Sequence, residues 1–295
     1  MGCAALHPSY DWLMQGILSI QSQLAVGHVG NSAAVFALQR LGREVWPVPT
    51  VLLSHHPGHG GAQGGPVPLE LQKSLIAGLA ARGCFARCAA VISGYLGQAA
   101  DAEVVRGAVA AARAGTPDTV YLCDPVLGDD GRTYVSPEVV TAVHNLAALA
   151  DIITPNAYEL SLLTECDLQT RSDALEALRV LQSRGPRVVI ISSFAGADTP
   201  SGTLDVMAVD GADAWRVSVP HIAAKFSGAG DVFAALFLNF WLNDRNAGAA
   251  LGKACSALFG VLKETAARGA EELELIAAQN MLVKPDRIFA PERIA

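Results

Sequence analysis

The sequence predicts an α/β fold: a mostly parallel central sheet with helices on both of its faces. Two observations predict it. Short apolar runs alternate with longer segments of helical period along most of the chain, and strand–helix repetition of that kind builds parallel sheets. Several of the short runs are apolar throughout, as expected of strands buried on both faces. The size agrees. The chain has 295 residues, 51% of them hydrophobic and 17% charged, and a chain of about 300 residues buries roughly three quarters of its unfolded surface. One domain over residues 1–295 is expected, with residues 1–14 a poorly ordered extension.

In chain order, the apolar run Ile17–Ser22 predicts the first strand and Ser32–Leu41 the first helix. Gly27 and Gly30 lead into that helix, with Asn31 or Ser32 as its expected cap. Val45–Ser54 predicts a strand and Leu69–Ala81 a helix. Between them, PGHGGAQGGP (Pro57–Pro66) fits neither helix nor interior strand and reads as a mobile loop. Strand and helix then alternate through Ala90–Ser93, Ala99–Ala114, Thr119–Asp124, Pro137–Ala150 and Asp151–Thr154. Two helices follow, Ala157–Thr164 and Ser172–Arg184, and then the strand Arg187–Ser192. A loop at Phe194–Thr203 precedes a hairpin, in which Leu204–Val209 and Ala214–Val219 flank Asp210-Gly211. Helices at Ala229–Leu242 and Ala247–Ala267 complete the pattern.

Composition removes several function classes. Twenty-one basic against 28 acidic residues give a net charge of −7, which argues against nucleic-acid binding through phosphate neutralisation. The longest apolar run, Val232 to Leu242, is interrupted by Asn239 and falls short of the roughly 20 residues a membrane span needs. The N-terminal segment has neither the basic nor the apolar region of a secretory signal. Six cysteines without a C-x-x-C pair read as small buried hydrophobes of a reducing, cytoplasmic compartment. Cys84 and Cys88 are spaced for one helix face, but no further ligand completes a metal site.

The segment with most chemistry is Ser227-Gly228-Ala229-Gly230-Asp231, which opens an apolar helix. Glycines at a helix start let free amides approach an anion. A carboxylate beside such amides suits phosphoryl transfer, taking a proton from an attacking hydroxyl while the amides hold developing charge. Asp231 would otherwise be a helix cap. Ser22 ends the first strand at the edge where open parallel sheets bind ligands. The glycines after it lack the spacing of a dinucleotide fingerprint. Asp124 and Asp129, in CDPVLGD, read either as turn residues or as holders of Mg²⁺ through water. Asn156 and Glu159, after Thr154-Pro155, have capping-box spacing, with a polar cluster beside nucleotide phosphates as the other reading. His55, His56 and His59 read as substrate-contacting or solvated.

Taken in order, IQSQLAVGHVGNSAAVFALQRLG, VWPVPTVLLSHH, SGYLG, CDPVLGD, DIITPNAYEL and GAGD resemble the pyridoxal kinases of the ribokinase-like superfamily. The resemblance implies a three-layer α/β/α sandwich, ATP-dependent phosphorylation of the 5′-hydroxyl of pyridoxal in vitamin B6 salvage, Mg²⁺, a candidate monovalent cation, and a homodimer. By position, it implies that Asp231 is the catalytic base and Gly228, Ala229 and Gly230 the anion hole. Ser22, Val29, Val51, His56 and Tyr95 would line the vitamer pocket. Asp124, Thr154, Glu159 and Ser192 would face ATP, with Asp124 and Asp129 near the metal.

Departures from the family pattern bear on activity. Pro57 stands where a threonine usually follows the flap histidine, Ser192 where bacterial members often carry lysine, and Phe226-Ser227 where Asp-Thr usually precedes the glycines. Thr133 replaces a cysteine able to react with the pyridoxal aldehyde, so no thiohemiacetal is expected. A hydroxymethylpyrimidine kinase is the alternative within the superfamily, though those often carry Cys where this chain has Asp231. A non-catalytic vitamer-binding protein is the alternative outside catalysis.

Overall fold

A parallel sheet sandwiched between two helical layers carries the chain. The structure is a computed structural model describing residues 15–295; the expected extension, residues 1–14, lies outside the described residues. The strands are β1 (Gly16–Leu24), β2 (Glu44–Leu53), β3 (Gly64–Pro66), β4 (Cys88–Ser93), β5 (Val120–Cys123), β6 (Gly128–Asp129), β7 (Arg132–Thr133), β8 (Ile152–Ile153), β9 (Val188–Phe194), β10 (Thr203–Asp210), β11 (Asp213–Pro220) and β12 (Glu292–Arg293). The helices are α1 (Asn31–Arg40), α2 (Leu69–Ala81), α3 (Asp101–Gly115), α4 (Pro137–Ala147), α5 (Ala157–Thr164), α6 (Arg171–Gln182), α7 (Ala229–Asp244), α8 (Ala247–Ala267) and α9 (Gln279–Val283). Among the described residues the main sheet has the order β12-β11-β10-β9-β8-β5-β4-β1-β2-β3. From β9 to β2 the pairing is parallel, and β10, β11, β12 and β3 add antiparallel edges.

The period of two along the strands divides the core. Leu18 and Ile20 pack with α2 to α6 on one face, while Ile17 packs with α1, α7, α8 and α9 on the other. Val91 and its neighbours Ala90 and Ile92 split the same way. Because both faces are covered, β4 and β5 read as nearly unbroken apolar runs, while the polar Ser19 and Gln21 buried in β1 bond to each other at 2.9 Å. Phe233, Phe237 and Trp241 of α7 are buried core residues. Among the described residues, no helix is long and apolar enough to cross a membrane.

The carboxyl ends of the parallel strands define one edge. Ser93 ends β4, Asp124 and Thr154 directly follow β5 and β8, and Ser22 and Ser192 lie two residues before the ends of β1 and β9, so residues far apart in sequence gather towards one edge.

Local expectations fail in four places. Neither Asn31 nor Ser32 caps α1; Gly30 occupies the cap position. Both side chains instead tie back to β1, Asn31 Nδ2 donating to the Gln21 carbonyl (3.1 Å) and Ser32 Oγ to the Leu24 carbonyl (2.9 Å). Cys84 and Cys88 share no helix face, since Cys84 starts a 3₁₀ turn and Cys88 opens β4. The glycine-rich stretch after β2 is more built than a loop, with a 3₁₀ turn at Pro57–His59 and the edge strand β3 paired to β2. Its histidines supply the order: His55 spans Ser54 Oγ and the Gly60 carbonyl (both 2.9 Å), and His56 Nδ1 accepts the Gly58 amide (3.2 Å). The small β6–β7 hairpin, turned at Asp130-Gly131, was hidden in what read as a simple turn.

Candidate active site

Two glycine-bearing loops interlock at the head of α7. Gly228 caps that helix in the left-handed region (φ 88°), and a Cβ there would lie 1.9 Å from the His28 carbonyl oxygen. Gly30 (φ 52°) is held as tightly, since a Cβ on it would fall 2.4 Å from Ser22 Oγ. Any side chain at either position would push the loops apart. The loop after β1 and the start of α7 are therefore one unit, and Ser22, Val29 and Asp231 converge on it.

Asp231 is the third residue of α7, yet it makes no capping hydrogen bond. It accepts instead from the main chain of Gly30. Burial pushes its carboxyl up to about 6, opposed by that hydrogen bond. Capping chemistry is thus set aside for this acid, and a carboxylate poised near neutrality is what a general base requires.

A second acid lies within electrostatic reach. Asp124 is buried, and Thr154 Oγ1 donates to its Oδ1 at 2.7 Å. Burial first, and the Asp231 charge second, raise its carboxyl to about 7, against the lowering effect of Thr154. Glu159 follows beyond it. Its Oε1 accepts the amides of Leu127 (2.9 Å) and Gly128 (3.4 Å), and its Oε2 that of Asn156 (2.9 Å). Asn156 Oδ1 accepts the Glu159 amide in return, completing the capping box. Glu159 thereby staples the 124–128 loop onto α5 while burial and Asp124 raise its carboxyl to about 8. Ser192 joins this side through its amide, which donates to the Pro155 carbonyl at 2.9 Å.

Asp129 lies apart from these acids. It is exposed on the β6–β7 hairpin, and its Oδ1 accepts the Asp130 amide. Asp130 pairs with Lys225, which precedes the glycine motif, so an ion pair spans from the hairpin to the segment before that motif. Thr133 Oγ1 and the Tyr158 hydroxyl are 2.7 Å apart.

On the other side, Val51 and Tyr95 belong to adjoining walls. A Cβ on Gly97 would meet Val51 Cγ2 at 2.4 Å, and Thr50 Oγ1 donates to the Tyr95 carbonyl (2.7 Å). Burial, then Asp101, raises the Tyr95 phenol above its usual range. His56 stands edge-on to His59 with ring centres 6.0 Å apart, and its pKa is lowered by burial and then by His59. Glu272, which the sequence did not single out, meets His59 from 213 positions away; no local pattern announces such a contact.

For Mg²⁺ the donor set fits. Among the described residues no group of three His, Cys, Asp or Glu side chains forms a metal cluster, but Mg²⁺ commonly takes one or two carboxylates and completes its shell with water and phosphate oxygens. Asp124 offers such a carboxylate, raised by burial and a neighbouring negative charge, an environment a cation relieves.

A family model described as phosphomethylpyrimidine kinase matches residues 81–275. The pyridoxal kinase PdxY of Deinococcus radiodurans is 41% identical, over 96% of this chain and 97% of its own length. PdxY of Rubrobacter xylanophilus is likewise 41% identical, over 95% of this chain and 97% of its own. The structure of pyridoxal kinase from Leishmania donovani in complex with ADP and pyridoxamine superposes with a TM-score of 0.90 at 32% identity, covering 95% of this chain and 100% of that one.

Proposed function

The chain belongs to the pyridoxal kinase family, and from that premise we propose that it transfers the γ-phosphoryl group of ATP to the 5′-hydroxyl of pyridoxal, with Asp231 as general base. One observation carries the reading. Asp231 heads a helix without capping it, touches the loop behind Ser22 through Gly30, and shares an electrostatic field with the Asp124–Thr154 pair. A single carboxylate is thus common to the vitamer side and the nucleotide side.

Pyridoxal lies over the Ser22 strand end, between Val29, Val51, Tyr95 and the flap bearing His56. Asp231 accepts the 5′-hydroxyl proton as that oxygen attacks the γ-phosphorus, and the bond to the ADP oxygen breaks. The Ala229 amide already reaches the Phe226 carbonyl at 3.3 Å, so developing charge falls chiefly to the Gly228 and Gly230 amides. Asp124, with Thr154 fixing one of its oxygens, would hold Mg²⁺, which would supply neutralisation of phosphate charge. Glu159 acts on the nucleotide through the loop it staples, and Ser192 lines the same side. Asp129 enters this reading only at the rim, through water. The flap excludes water that would otherwise take the phosphoryl group.

The same reading extends to a homodimer in the cytoplasm. Leu52 and Leu71 are exposed along β2 and α2, beside the short edge strand β3, and an apolar surface of that kind suits a second copy. The described cysteines are free, which suits a reducing compartment.

Purified protein with ATP, Mg²⁺ and each of pyridoxal, pyridoxamine, pyridoxine and hydroxymethylpyrimidine tests the activity, with ADP release as readout. Pyridoxal should give the highest kcat/KM. The phosphomethylpyrimidine description of the matching family model supports one rival, and turnover of hydroxymethylpyrimidine alone would select it. Vitamer binding without ADP release would select a non-catalytic role.

A further inference from the structure

The flap is held from outside itself. His59 Nε2 lies 2.9 Å from Glu272 Oε1, with Glu271 Oε2 4.0 Å from the other ring nitrogen. The same Glu272 carboxylate presses on the loop after β1, since a Cβ on Gly27 would lie 2.7 Å from its Oε2. Its main chain forms an isolated parallel bridge with Ser227, immediately before the anion-hole glycines. The stem of the flap is tied to the same loop: the Ala25 and Val26 amides donate to the carbonyls of Leu53 and Ser54, both at 2.9 Å. Three segments remote in sequence therefore meet at one residue, two at its side chain and one at its main chain. They are the flap, the loop behind Ser22 and the segment entering the glycine motif.

We propose that Glu272 is a positioning residue that clamps the flap to the anion-hole loop, so that the flap closes over the vitamer in register with the amides that receive the phosphoryl group. The proposal rests on the pyridoxal kinase reading above. Glu272 touches no reacting atom. It acts through His59, which carries the flap turn bearing His56, and through Ser227, which carries Gly228. The Glu272 side chain is about 29% exposed and that of His59 38%, so the link is sheltered enough to matter yet sits where a flap can open.

The test starts from wild-type enzyme turning over pyridoxal; failure there removes the function, not the clamp. Glu272→Ala and His59→Ala are then compared, each for kcat, both KM values, vitamer-free ATP hydrolysis and Tm. Loss of one charge-assisted contact should raise the pyridoxal KM about tenfold. The KM for ATP should stay within about twofold, a change below roughly 0.5 kcal/mol. ATP hydrolysis without vitamer should increase, because a loosened flap admits water. Glu272→Asp, which keeps the charge, should recover part of the pyridoxal KM. The double variant should be no worse than the poorer single one, since both remove one link. Additive effects in the double variant, or an unchanged pyridoxal KM with wild-type Tm, would overturn the clamp. A uniform fall in kcat and Tm without a KM shift would overturn it too, leaving Glu272 a fold-stabilising residue.

Discussion

Replacing Asp231 by Asn should move activity and stability in opposite directions. The carboxyl is raised from 3.8 to about 6, mainly by burial, so at pH 7 it is about nine-tenths ionised and available as a base. Removing it should lower kcat by roughly 10²–10⁴-fold, with little effect on the ATP KM. The same shift has a stability consequence. A carboxyl raised in the folded state contributes stability that is present below about pH 3.8 and is lost as pH rises through about 6. Two pKa units correspond to about 3 kcal/mol, and the partial exposure of the side chain reduces this to about 1–3 kcal/mol. The Asn oxygen still accepts from Gly30, so Asp231→Asn should unfold several degrees higher at pH 7.5, at roughly 2–4 °C per kcal/mol. Near pH 4 that advantage should shrink. Steady-state ADP release and thermal unfolding at both pH values give the two readouts. In the wild type, kcat/KM should climb tenfold per pH unit up to about 6 and then level off. Near-wild-type turnover, or an Asn variant less stable at pH 7.5, would refute the assignment of Asp231 as a partly buried base.

Other substitutions probe the remaining parts. Glu159→Ala strips three amides of their acceptor and should cost about 1–3 kcal/mol in denaturant unfolding, together with a higher ATP KM; Glu159→Gln, which keeps one acceptor oxygen, should fall between. Thr154→Val removes the hydroxyl that lowers the Asp124 carboxyl, so the KM for ATP with Mg²⁺ should rise at pH 7 and recover towards pH 9, where Asp124 is ionised regardless. Pro57 opens a 3₁₀ turn and Thr fits the same position, so Pro57→Thr should lower the pyridoxal KM by about 2–10-fold if the hydroxyl reaches the vitamer; an unchanged KM places no such contact there.

Much of the layered fold was legible because its cause is repetitive. Strands such as β4 and β5 are largely apolar on both faces, and α1 to α6 separate the parallel strands at crossover length, so composition along the chain carries the topology. What escaped was short or paired at a distance. The β6–β7 hairpin is two residues a side and has no room for alternation. The edge strand β3 is two glycines and a proline, so its pairing with β2 follows from the turn before it rather than from propensity. Asn31 and Ser32 have capping chemistry, but β1 offered both side chains tertiary partners and Gly30 took the cap.

The site divides along the same line. Motifs whose members are a few residues apart were readable: Asn156 with Glu159 as a capping box, and the glycines with Asp231 at a helix head. Their meaning, however, depends on contacts the motif does not contain. A capping box is ordinary until its glutamate also takes the Leu127 and Gly128 amides and is pushed up beside Asp124. An aspartate at a helix start is ordinary until the helix dipole is left to the glycines and the carboxyl turns to Gly30. Three raised acids oppose folding at neutral pH, because burial favours the protonated form of each and a neighbouring negative charge adds to it at Asp124 and Glu159. Helix capping could be had from a solvated asparagine at no such cost, so the unfavourable burial of Asp124 and Asp231 argues for chemistry at that edge more strongly than the glycine motif does by itself.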